Sequence, residues 1–342
     1  MVAGDWVEII IKLLALVFVL LTGFAYLTLF ERRVLAAIQS RVGPDRVGPK
    51  GFLQPAADGL KLLFKEDIIP RDADRLLFMI APIAVVITAL MSVAVVPWGP
   101  DMTLFGREVS LALADINIGT LFFLGIGSLA VYGVVLAGWA SNNKYALMGG
   151  IRASAQMLSY ELAMGLAVVG VVMLAASMSL GDIVDAQAGG KWFILLQPLG
   201  FIIFIITMLA ETKRAPFDLP EAEQELVAGF HTEYSGMKFA MFYMGEYISM
   251  IVISAVAATL YLGGWRGPFV DALPILGPIY LIIKIILILF FFVWVRATLP
   301  RVRYDRLMSI GWKILLPLSV LNVALTAIGI VAADTNFFGL LG

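Results

Sequence analysis

Four carboxylates crowd into eight residues at Asp218, Glu221, Glu223 and Glu225, with Glu233 close behind. Carboxylates this dense can hold, lose and pass protons, because neighbouring negative charges disfavour full ionisation. Three further acids (Glu161, Glu211, Glu246) and one base (Lys284) lie within or at the ends of strongly apolar stretches. An ionised group at the centre of a lipid-embedded helix costs about 2.5–3.5 kcal/mol on insertion scales, so it must pair, neutralise or meet water. Pairing that merely holds helices together would explain one such residue. Several acids at similar depth beside an acidic loop have the pattern of machinery that moves protons.

Ordinary capping accounts for part of the acidic loop. Asp218 followed by Glu221, with Pro220 between, fits a helix start where carboxylates favour the dipole. It does not account for Glu223, Glu225 and Glu233. Glu221 and Glu225, four apart on one helical face, would repel. A held proton, an Arg214 or Lys213 folded over them, or an irregular backbone would each relieve that repulsion.

The elements that must carry these groups are membrane helices. The chain is 61% hydrophobic and 14% charged over 342 residues, with a mean hydropathy of +0.95. About 20 apolar residues cross a bilayer core, and eight stretches qualify: 6–29, 76–97, 116–138, 156–178, 192–211, 239–262, 275–299 and 311–333. Glu161 and Glu246 are each placed about eight residues in from the cytoplasmic ends of their helices, roughly 12 Å below the starts. The expectation is an all-α integral membrane protein of about eight tilted transmembrane helices. It forms a single membrane domain over 1–342, with a cytoplasmic loop over 30–75 and an acidic cytoplasmic loop over 212–238.

Of 24 Lys and Arg residues, the loops after helices two, four and six hold Arg107, Lys191 and Arg266, whereas those after helices one, three, five and seven are rich in them. The positive-inside rule therefore puts both termini on the outer, periplasmic side. In the first basic loop, Gly43 to Lys50 superficially matches a phosphate loop. Pro49 displaces the Lys and no Ser or Thr follows, so a stiff connector is the simpler reading. From Phe52 to Glu66, apolar residues recur at helical spacing opposite Asp58, Lys61, Lys65 and Glu66. That amphipathic helix, roughly 22 Å long, is too short and too charged to span and should lie along the interface.

What is absent narrows the chemistry. Without cysteine no thiolate can ligate an iron–sulfur cluster, and His231 alone cannot form a bis-histidine haem or a His-rich metal site. No metal site is expected. Electrons in any redox role must travel in a partner.

Several segments carry a resemblance across essentially the whole chain: Phe30 to Arg33, Arg41 to Pro44, Gly51 to Lys61, Tyr160-Glu161, Pro216 to Gly229, Gly236 to Tyr247 and Arg296 to Asp305. It resembles the quinone-site membrane subunit of respiratory complex I, the H-type component of the NADH–quinone oxidoreductases, in a bacterial form. That resemblance implies a multi-pass protein of the bacterial inner membrane, with no electron-carrying cofactor of its own. Quinone, either ubiquinone or menaquinone, is the implied substrate. FMN and iron–sulfur clusters would sit in partner subunits, and the partners would be the other membrane and peripheral-arm subunits.

Residue by residue, it implies that Glu31, Arg32, Arg41 and Asp58 line or gate the quinone entrance. Arg214, Phe217, Asp218, Glu221 and Phe230 would shape an inner chamber, joined by Arg296. Glu161, Glu211, Glu246, Glu221, Glu223, Glu225 and Glu233 would form the proton relay. Lys284, deep in helix seven, is added from its position as an onward station. Rival readings are the matching component of a membrane-bound hydrogenase or formate-linked complex, a free-standing ion or proton transporter, and a purely structural anchor. Neighbouring genes, ion exchange by the isolated chain, and tolerance of neutral replacements at the buried acids would separate them.

Overall fold

The computed structural model describes residues 3–104, 107–220, 223–270 and 272–334. Among them, seven unbroken helices are long and apolar enough to cross a membrane, and a bent pair raises the number to as many as eight. The unbroken ones lie within α1 (Ala3–Ile38), α3 (Arg75–Ser92), α4 (Gly119–Ala140), α5 (Lys144–Ala175), α10 (Gly236–Tyr261), α11 (Leu276–Thr298) and a last rod. That rod runs through α12 (Tyr304–Ser309), a π-helical stretch Ile310–Leu315, and α13 (Leu316–Asp334). The amphipathic helix is α2 (Gln54–Phe64). A two-stranded antiparallel hairpin, β1 (Met102–Leu104) and β2 (Arg107–Val109), lies between α3 and α4. Between α5 and α10 come three short helices, α6 (Leu180–Ala186), α7 (Phe193–Leu196) and α9 (Glu223–Leu226), and the longer α8 (Pro198–Glu211).

Helix α10 is the axis of the bundle. Every residue from Met250 to Tyr261 is buried, packed among α3, α11 and α1. Close approach depends on missing side chains. A Cβ on Gly245 of α10 or Gly133 of α4 would sit 2.5 or 2.4 Å from Val85 of α3. Small residues let membrane helices pack backbone to backbone, where lipid supplies no hydrophobic drive.

Three boundaries differ from the hydropathy reading. Helix α5 begins at Lys144, capped by Asn143, whose side chain accepts from Tyr145 N. Residues 144–155 are helical without being uniformly apolar, so hydropathy underestimates the rod. Glu161 therefore lies about 26 Å along α5, not about 12 Å. Helix α1 likewise continues to Ile38, which puts Glu31 and Arg32 on a helix inside the range assigned to the first basic loop. The fifth stretch is not one rod: it bends by 71° between Leu196 and Pro198. Pro198 cannot donate to the preceding turn, and Gln197 leaves helical geometry at φ −131°, ψ 58°.

Candidate functional site

Glu161, Glu211 and Glu246 come from α5, α8 and α10 and line one cavity of about 70 Å³, closed by residues of α3 and α4. One water needs about 10–15 Å³ of such space, so several fit. Ser128 Oγ of α4 donates to Glu161 Oε1. Glu211 Oε2 is buried with no hydrogen-bond partner among the described residues. Lys213, just beyond α8, lines the same space, and its ammonium lies 5.0 Å from the centre of the Phe230 ring.

The next residue turns the other way. Arg214, 6% exposed, reaches into an ionic cluster. Its Nε lies 2.8 Å from Glu246 Oε1 and its Nη1 lies 3.2 Å from Glu31 Oε1. Arg296 of α11 also pairs with Glu31 Oε1, while Tyr247 Oη donates to Glu31 Oε2 at 2.7 Å. Two carboxylates and two guanidiniums leave the cluster neutral, which makes its burial tolerable. Burial opposes the charge on Arg214, but Glu246 and Glu31 hold the guanidinium protonated well above the usual arginine range. Glu246 thus belongs to both the cluster and the cavity.

A groove of about 410 Å³ lies between α1, α2 and α10. Arg32 and Asp58 line it and pair at 2.7 Å. Partial burial would raise the Asp58 carboxyl, but the Arg32 hydrogen bond and charge hold it below the ordinary aspartate range. Tyr243 also lines the groove, and its ring stacks 6.2 Å from that of Tyr247. One aromatic step therefore separates the groove from Glu31. Arg41 stands apart, exposed, with Nε donating to Gln39.

The acidic loop is only partly described. Glu221 lies outside the described residues, as does the side chain of Glu223. Glu225 pairs with Arg152 of α5 at 2.6 Å and with Arg301 at 3.5 Å. The Arg152 hydrogen bond, with Arg301 behind it, holds the Glu225 carboxyl below the ordinary glutamate range. At Glu225, then, the covering cations come from α5 and from the segment after α11. Glu233 accepts from Asn143 Nδ2 at 2.6 Å, tying the loop to the start of α5. Asp218 is half-buried. Phe217 packs on Tyr160, with ring centres 5.6 Å apart, and Phe230 packs on Phe242 at 5.4 Å.

Lys284 is not brought to the glutamates. Its Nζ donates to the carbonyls of Leu262, Gly264 and Arg266 at 2.7–2.8 Å, just past the C-terminus of α10. A cation there satisfies orphan carbonyls and the negative end of the helix dipole.

Among the described residues no cluster of His, Cys, Asp and Glu is arranged to hold a metal ion. The family model described as NADH dehydrogenase matches residues 11–327. The chain belongs to that family. It is 56% identical over 315 residues to the first H-type subunit of NADH-quinone oxidoreductase from Geobacter metallireducens, a match spanning 92% of this chain and 94% of the relative. The second H-type subunit of NADH-quinone oxidoreductase from Geobacter sulfurreducens is 55% identical with the same coverage. The corresponding Thermomicrobium roseum protein is 52% identical over 95% of this chain and 97% of the relative.

Within this NADH dehydrogenase family member, Tyr247, Ser128, Gln156 and Arg152 are the site residues that sequence reasoning passed over. Gln156 Nε2 donates to the carbonyls of Ala210 and Phe217, both at 2.8 Å, pinning the stretch that carries Lys213 and Arg214. The single Gln of α5 is a signal that hydropathy averages away. Tyr247 and Ser128 are neutral, and only their partners mark them.

Proposed function

We propose that the chain serves as the quinone-site membrane component of a proton-pumping NADH–quinone oxidoreductase in the bacterial inner membrane, with both termini outward. It admits quinone from the bilayer through the groove between α1, α2 and α10, where Arg32 and Asp58 form the rim. The reducing electrons come from FMN and iron–sulfur clusters in partner subunits. Arg214, Arg296, Phe217, Asp218 and Phe230 border a chamber that a partner completes. Quinone reduction there demands protons and changes the local charge. Glu31 and Arg214 carry that change to Glu246, and from there to Glu161 and Glu211.

The observation that carries this reading is the shared cavity of Glu161, Glu211 and Glu246, joined to the groove through Arg214, Glu31 and the Tyr247–Tyr243 pair. Hydrated carboxylates within one small space can exchange protons, and a charge placed near Glu31 acts on Glu246 through a single guanidinium. In the assembled complex, Glu161→Gln should lower quinone reduction and its coupled pumping at least tenfold, while NADH oxidation by a soluble acceptor stays normal. Full pumping from the assembled variant would defeat the relay.

A further inference from the structure

Cavity and cluster divide the charges between them. Of the three carboxylates lining the cavity, Glu246 shares the Arg214 guanidinium at 2.8 Å. Glu161 and Glu211 are left facing the same space, and among the described residues lining it Lys213 is the one cation. Two features hold Lys213 there. Its backbone takes φ +56°, in the left-handed region, directly after α8. That turn sends Lys213 to the cavity and Arg214 to the cluster. Its ammonium is also seated over Phe230 at 5.0 Å, on a buried turn.

We propose that Lys213 is the counter-cation of this cavity and limits it to one exchangeable proton shared by Glu161 and Glu211. With one cation and two carboxylates, the neutral state has one carboxylate charged and the other protonated. Adding a second proton leaves an unmatched cation, and removing the first leaves two close carboxylates with one partner. Both are penalised in a space that holds only a few waters. The groups facing Lys213 are Glu161 of α5, Glu211 of α8 and Glu246 of α10, with Arg214 beside it and His231 on the Phe230 turn. The assignment makes Lys213 a positioning residue, and it deepens the relay reading on which it rests.

The test is the pH profile of NADH-driven quinone reduction by the assembled complex in proteoliposomes. Lys213→Met should move the rising, acid limb of that profile upward by about one pH unit or more, because the charged carboxylate has lost its partner. Lys213→Arg should restore the parental profile. If Lys213→Met fails to assemble, as judged by NADH oxidation with a soluble acceptor, Lys213→Gln takes its place with the same expectation. Superimposable profiles for the neutral variant and the parent would overturn the proposal. So would a shift that Arg does not rescue, since shape rather than charge would then be responsible. Glu161→Gln, measured in parallel, keeps the two readings apart: unchanged pumping there removes the relay itself, whereas impaired pumping with no Lys213 effect removes only the counter-cation.

Discussion

Arg214 Nε and Glu246 Oε1 stand 2.8 Å apart, both largely withdrawn from solvent, and the same guanidinium reaches Glu31 on α1. One side chain from the loop after α8 therefore ties together two membrane helices distant in sequence. Its planar fork suits two carboxylates at once, a task for which the lysine ammonium is poorly shaped.

Arg214→Met leaves Glu246 without this partner and Glu31 with Arg296. Breaking a buried pair from one side costs about 3–5 kcal/mol. The thermal unfolding midpoint of the purified complex should fall and quinone reduction should drop, with Arg214→Lys intermediate in both. An unaltered midpoint would show that the cluster does not hold these helices together.

The Arg32–Asp58 rim gives a pH expectation. The Asp58 carboxyl is held below its ordinary value, so its contribution is complete above about pH 4 and is lost only as pH falls through the lowered value. Apparent quinone affinity should thus show no Asp58 titration between about pH 5 and 8. Asp58→Asn or Arg32→Ala should weaken binding of a quinone-site inhibitor by up to about fivefold, the range of a half-exposed pair. Unchanged inhibitor affinity in Arg32→Ala would take that residue off the rim.

Much of this was legible in the residues. The spans follow from hydropathy, whereas only the resemblance of the segments around them had put Arg32 and Asp58 together, and the structure pairs them beside a groove. The common cavity was half visible, since Glu161, Glu211 and Glu246 lie in apolar surroundings and share one sign. What hydropathy could not supply was direction. Lys213 and Arg214 are adjacent cations that part company because of one left-handed residue. Lys284 has the sequence context of a relay group, yet three carbonyls claim it, and backbone acceptors leave no trace in side-chain chemistry. The bend at Gln197 had a signal in Pro198, but apolar residues on both sides masked it.

Lys284→Met should therefore act on the end of α10. Charged hydrogen bonds of this kind contribute about 1.5–3 kcal/mol each and not additively. The expected result is a lower unfolding midpoint, with the proton-to-electron ratio of surviving complex unchanged. A lost ratio at normal stability would return Lys284 to the proton route.

Gly149 offers a purely steric test. A Cβ there would lie 2.6 Å from Phe230 N and 2.8 Å from Gly229 backbone atoms, distances that only movement of the turn can relieve. Gly149→Val should lift the Gly229–His231 turn from α5, and with it the Phe230 ring beneath Lys213. Faster amide hydrogen exchange at residues 229–231 would register the change, and unaltered exchange would rule it out.

The break before Pro198 leaves α8 about 21 Å long, short of the roughly 30 Å of a hydrocarbon core. A half-span of this kind takes its height from the protein around it, since its exposed backbone ends must be satisfied internally. Bilayers of thicker or thinner acyl chains should then tilt the outlying rods α1 and α13 while Glu211, at the tip of α8, keeps its level among its neighbours.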